Sequence, residues 1–232
     1  MILVFGLSPR CGSTAIAEAI AESINTNYIL EPFADSWDSW SSINNINIKP
    51  NIENIFELCK DNNIQVIKTI EYHLSRQKNI FLIDKCKTIF LYRKCFVDTA
   101  LSEWMSYNYC NKTNIKYAYH IRDISSLKDF YTLPRDEISI DSVIKNFNTC
   151  KRTKNKYILE SSIDIILSYE EYFNKNVIKN HNDLINNLGL KILSNNFENI
   201  ISKEKKHNNH DIYKKLIPNY FDLMKFKDEL IL

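Results

Sequence analysis

Glycine is scarce in this chain, with three among 232 residues, and proline, with five, is little commoner. Asn, Ile and Lys are abundant instead, a bias that reflects AT-rich coding sequence more than function. The six cysteines form no Cys-x-x-Cys pair, so a zinc site is not expected. Scattered through a chain of this length they do not make a disulfide framework either, and free thiols in a reducing compartment are expected. Neither sign of charge dominates: 30 basic residues against 28 acidic leave a formal net charge of +2. That is no nucleic-acid footprint, and any anion site must come from local placement. No apolar run approaches the roughly 18 residues of a membrane-spanning helix. The apolar opening, residues 1–7, has no basic flank and is too short for the core of a signal peptide, so a cytoplasmic location is expected. There is no internal repeat, no linker and no low-complexity tract beyond the Asn bias.

What remains is an ordinary globular composition, 44% hydrophobic and 25% charged, long enough to bury a sizeable core in one domain over residues 1–232. Residues 2–7, Ile-Leu-Val-Phe-Gly-Leu, form a short apolar run suited to a strand buried on both faces. Residues 65–70, 88–92 and 163–169 read as three more strands. Helices are expected over 14–24, 51–61, 96–107, 140–159 and 170–188, the last closed by Gly189 as a C-cap. A helical end follows from about residue 211. Strands alternating with helices argue for an α/β fold with a central parallel sheet flanked by helices. Trp104 and Tyr107 are expected in the core.

The first strand runs into the turn Ser8-Pro9-Arg10-Cys11-Gly12-Ser13 and then a helix. A strand, a tight loop and a helix N-terminus make an anion site: free N–H groups converge there and the helix dipole adds about half a positive charge. Gly12 permits close backbone approach, Ser13 and Thr14 add hydroxyls, and Arg10 adds a permanent forked cation. The general P-loop pattern G-x-x-x-x-G-K-[ST] is not met, because Gly6 and Gly12 are separated by five residues and Ser13 stands where the Lys belongs. An ordinary Mg-nucleotide triphosphatase is therefore disfavoured.

The segment Ser8-Pro9-Arg10-Cys11-Gly12-Ser13-Thr14 resembles the 5′-phosphosulfate-binding loop of sulfotransferases, P-R-S-G-S-T in many carbohydrate and bacterial members, with Cys11 in place of the usual Ser. The resemblance implies a P-loop NTPase-like sulfotransferase fold and 3′-phosphoadenosine 5′-phosphosulfate as cofactor. It assigns Arg10 to the sulfuryl group, Gly12, Ser13 and Thr14 to the 5′-phosphate, and leaves Cys11 its backbone N–H. The Cys11 thiol, at a helix N-terminus beside Arg10, is expected to have a lowered pKa. A second segment, from Arg93-Lys94 to Ser102, resembles the family's 3′-phosphate motif of strand, Arg and helix-borne Ser. Arg93 to Ser102 is nine positions and Lys94 to Ser102 eight, against about eight in the family, so either cation fits. Arg93 and Ser102 are the first choice, with Lys94 assisting. Lys203, Lys205 and Lys206 either cover that phosphate or form a solvated basic turn.

Sulfuryl transfer needs a general base for the acceptor. Relatives place a Glu-Pro or Glu-Tyr element after the first helix, which matches Glu31-Pro32 and makes Glu31 the first choice; His73 and His120 are the rivals. Lys68 lies in a strand that should be buried, so it needs an anionic partner and is also a candidate substrate or sulfate contact. Trp37, in Trp37-Asp38-Ser39-Trp40, is a candidate acceptor contact or a local hydrophobic anchor. Tyr169-Glu170 resembles a family element at a strand end and reads as mainly structural. The cofactor motifs fall within residues 1–110, and the acceptor-specific parts are expected at about 111–160 and 190–232. The expected activity is transfer to a hydroxyl or amine of a carbohydrate or small metabolite, without a metal. The alternatives are a kinase-like phosphotransferase, for which Asp84 is the tempting metal carboxylate, and a non-catalytic nucleotide-binding module.

Overall fold

The computed structural model describes residues 1–34, 49–51, 53–76, 80–113, 135–160, 163–204 and 210–232. Its centre is strand β1 (Ile2–Gly6), buried at every position because both faces are covered. Helix α1 (Ser13–Ser23) and edge strand β2 (Asn27–Leu30) follow, then α2 (Ile55–Asp61) and β3 (Ile64–Ile70). Two short helices, α3 (Glu71–Arg76) and α4 (Phe81–Lys85), lead to β4 (Lys87–Tyr92). The long helices α5 (Phe96–Thr113) and α6 (Ile140–Glu160) precede β5 (Ile165–Ser168). The chain continues through α7 (Tyr169–Tyr172), α8 (Val177–Asn187), α9 (Phe197–Glu204), α10 (His210–Leu216) and α11 (Tyr220–Met224).

The five strands form one all-parallel sheet in the order β2-β3-β1-β4-β5. Period-two alternation divides the strand residues between two cores. Leu3, Phe5, Ile67 and Phe90 pack with α5, α6 and the C-terminal helices on one face, and Ile2, Val4, Val66 and Ile89 pack with α1, α8 and α9 on the other. The chain leaves β1 towards β2 on one side and leaves the adjacent β4 towards β5 on the other. Such a reversal opens a crevice at the carboxyl ends of the two strands.

The expected α/β class and single domain hold. One strand was missed: β2 has only four residues, half of them outside the core, too short to give a periodic signal. The helix expected over 170–188 is two, broken at residues 173–176, while Gly189 does close α8 with φ 67°. Tyr107 is 57% exposed, not in the core; Trp104 is partly buried against the α5–α6 core. Among the described residues no helix is long and apolar enough to cross a membrane.

On the α1 face, His181 is fully buried within a chain of hydrogen bonds. Ser23 Oγ donates to the Ala19 carbonyl at 2.8 Å, so His181 Nε2 must donate to Ser23 (2.7 Å) and Nδ1 must accept from Tyr172 (2.5 Å). Burial pushes His181 down to about 4, so it stays neutral and structural.

Candidate functional site

The loop after β1 is folded by two left-handed residues, Arg10 (φ 67°) and Gly12 (φ 80°). Gly12 is held by packing as well as by its dihedral: a Cβ there would stand 2.7 Å from Phe173 and 2.8 Å from Tyr169. The loop closes down on Gly6, where a Cβ would collide with Cys11 Sγ. Cys11 is thus completely buried, and burial pushes its thiol up despite a hydrogen bond with Ser13. This corrects the expectation of a lowered thiol pKa: the side chain points under the loop, not at its mouth. Ser13, also buried, turns its hydroxyl the same way, while Thr14 is partly exposed. The N-terminus of α1 has no side-chain cap at Gly12 and no acidic residue in its first turn, so no carboxylate of that turn competes for an anion.

Arg10 reaches across the crevice, and its Nε donates to Ser102 Oγ on α5 at 3.1 Å. The residues picked from two separate motifs are therefore in contact, though Ser102 pairs with Arg10 and not with Arg93. Arg93 follows β4 directly and is buried, its guanidinium 4.7 Å from the Tyr169 ring, 3.7 Å from Asp98 and 4.0 Å from Glu170. Lys94 turns outward to Glu171 at 2.5 Å. Glu170 caps the start of α5, accepting from Lys94 N at 2.8 Å and Cys95 N at 3.2 Å, which gives the Tyr169-Glu170 element the structural part expected of it.

At the ends of β2 and β3 a second group forms. Lys68 is buried and pairs with the Glu31 carboxylate, whose other oxygen lies 2.8 Å from His73 Nδ1 on α3. The anionic partner that a buried Lys68 requires is thus Glu31. Burial alone would raise Glu31, but the Lys68 ammonium and His73 outweigh it and hold the carboxyl at about 2. The residue before a proline favours extended backbone, yet Glu31 sits at φ 46°, with its N–H donating to the Lys68 carbonyl at 2.7 Å. Strain of this kind collects at functional positions.

Two residues of the crevice carried no signal in the sequence. Tyr213 on α10 is hydrogen-bonded with Ser102 and lies close to Arg93 and Arg10; burial raises its phenol. Tyr157 on α6 donates to Glu71 Oε1 at 3.3 Å, and burial raises that carboxyl. Both come from helices that only tertiary folding brings to the sheet edge. Trp37, His120, Lys205 and Lys206 lie outside the described residues, as does the side chain of Lys203. Asp84 is exposed on α4, ahead of β4 and so at the opposite edge of the sheet from the loop.

Fold and site together define an α/β protein of one domain, with cationic, hydroxyl and acid–base side chains gathered at the carboxyl edge of a parallel sheet. No family model, no curated protein and no solved structure matches the chain.

Proposed function

We propose that this chain is a sulfotransferase using 3′-phosphoadenosine 5′-phosphosulfate, with a hydroxyl or amine of a carbohydrate or small metabolite as acceptor. The observation that carries the reading is the contact between Arg10 and Ser102, which the resemblance to sulfotransferases had singled out from distant parts of the chain; at the ends of β2 and β3 Glu31, singled out in the same way, meets Lys68 and His73. An anionic donor fits what is there: an uncapped helix N-terminus, a loop folded by left-handed residues, and Arg10 at its apex. Asp84, the carboxylate a kinase-like reading requires at the metal, stands at the wrong edge of the sheet.

The donor supplies a sulfur–oxygen bond to a phosphate leaving group, and no metal is needed for its displacement. Arg10 and the amides of the loop neutralise the charge growing on the sulfuryl group and the bridging oxygen. The backbone N–H groups of Cys11, Gly12 and Ser13, with Thr14, hold the 5′-phosphate. The base is His73, and this revises the first choice of Glu31. A carboxylate held at about 2 between a lysine and a histidine is a weak proton acceptor. It is, however, a good orienting group: being ionised it can only accept, so the proton of His73 sits on Nδ1 and the lone pair on Nε2. His73 Nε2 takes the acceptor's proton as the acceptor oxygen or nitrogen bonds to sulfur, and adenosine 3′,5′-bisphosphate leaves.

Thermal unfolding with adenosine 3′,5′-bisphosphate, against ADP with Mg, tests this. At about 100 times Kd the bisphosphate adds roughly 2.7 kcal/mol, or on the order of 5 °C for a domain of this size. A shift with Mg-ADP alone moves the assignment to a phosphotransferase, and no shift with either removes the nucleotide from the reading.

A further inference from the structure

Two sets of charges flank the end of β4. On the α7 side Arg93 and Lys227 face Asp98 and Glu170, and the four charges cancel. On the α6 side they do not. Lys154 Nζ stands 4.5 Å above the Tyr92 ring, and Lys151, one turn earlier on the same helix, lies 5.6 Å over Phe147. Lys94 is the third cation there, and its partner Glu171 is the only carboxylate paired with any of the three among the described residues. Lys154 itself has no carboxylate partner among the described residues; it is partly buried, and burial together with repulsion from Lys94 and Lys151 lowers its pKa. Three cations face Glu171 and Glu170, and Glu170 is shared with Arg93, which leaves an excess of positive charge beside a partly buried ammonium. Repulsion of this kind is relieved when an anion binds between the charges. The place is close to the loop: Leu91 pairs with Gly6, Leu7 N–H donates to the Leu91 carbonyl at 2.8 Å, and Tyr92 is the next residue.

Given the sulfotransferase reading above, we propose that Lys154, with Lys151 and Lys94, forms a subsite for a second phosphate- or sulfate-type anion on the α6 side of β4. Arg93, already compensated by Asp98 and Glu170, then positions the end of β4 and does not bind that anion itself. The anion has two chemical sources, the 3′-phosphate of the nucleotide or an acidic group on the acceptor.

The test is calorimetric titration of wild type, Lys154→Gln, Lys154→Arg and the double variant Lys151→Gln/Lys154→Gln with adenosine 3′,5′-bisphosphate and adenosine 5′-monophosphate. Thermal unfolding in sodium phosphate, against sodium chloride of equal ionic strength, is the second readout. If the 3′-phosphate is the occupant, the double variant loses about tenfold or more in affinity for the bisphosphate, the loss of a charge-assisted contact. The monophosphate then binds as before, and Lys154→Arg stays near wild type. If phosphate protection is lost while the ratio of the two nucleotide affinities is unchanged, the subsite stands and the acceptor supplies the anion. Unchanged binding of bisphosphate and of phosphate in the double variant overturns the subsite, as do equal losses in the Arg and Gln variants. Should wild type bind neither nucleotide, the sulfotransferase reading falls, and the phosphate arm alone still decides the subsite.

Discussion

Glu31→Gln removes one negative charge from the most buried ion pair of the crevice and leaves Lys68 without its counter-ion. The carboxyl is held at about 2 against an ordinary value of 4.5. At 1.36 kcal/mol per unit that difference corresponds to about 3 kcal/mol of stability at neutral pH. A partner removed from a buried pair costs a similar amount, about 3–5 kcal/mol, because the remaining charge is stranded. The sign follows from the depressed value: the unfolded chain takes up the proton first as pH falls. The contribution is complete above the unfolded pKa of 4.5 and is lost progressively as pH falls towards 2. The assay is urea unfolding of wild type, Glu31→Gln and Glu31→Gln/Lys68→Met at pH 7 and at pH 3. The single variant should lose about 3 kcal/mol at pH 7, which in a thermal scan is on the order of 6 °C in midpoint for 232 residues. The gap should narrow at pH 3, and the double variant should recover part of the loss, since it strands no charge. A Glu31→Gln protein within about 0.5 kcal/mol of wild type at pH 7, with the same acid dependence, would refute the pairing and the base assignment built on it.

The same geometry gives two further expectations. His73→Asn should lower kcat about a hundredfold or more while the affinity for adenosine 3′,5′-bisphosphate is kept; a kcat near wild type would return the base to another group. Gly12→Ala forces a Cβ into Tyr169 and Phe173 at a left-handed residue, so a loss of about 2–4 kcal/mol in denaturant unfolding is expected, together with weakened nucleotide binding, and a variant as stable as wild type would mean the loop is folded differently.

The buried strands were legible because a strand covered on both faces needs an unbroken apolar run, as in residues 2–6 and 88–92. The loop was legible because a proline, an arginine and a glycine fall within four residues, Pro9 to Gly12, between an apolar strand and a helix. Edge strand β2 was not, since four residues carry too little pattern. The Cys11 thiol was misread because neighbours in sequence predict an electropositive helix end, while its burial depends on how the loop folds back over Gly6. The burial of Lys68 could be inferred from its strand, but its partner could not: Glu31 lies 37 residues away and reaches it only because β2 and β3 are adjacent.

The sequence alone therefore determined the α/β class, the buried strands and the types of side chain at their ends, because these depend on local periodicity and on chemistry carried by single residues. Which of those side chains meet was decided by the strand order β2-β3-β1-β4-β5 and by the helices laid over it. That order brings Arg10 to Ser102, Lys68 and His73 to Glu31, and Lys154 of α6 to Tyr92. Contacts between residues far apart in the chain depend on how the whole sheet closes, and no local pattern encodes that.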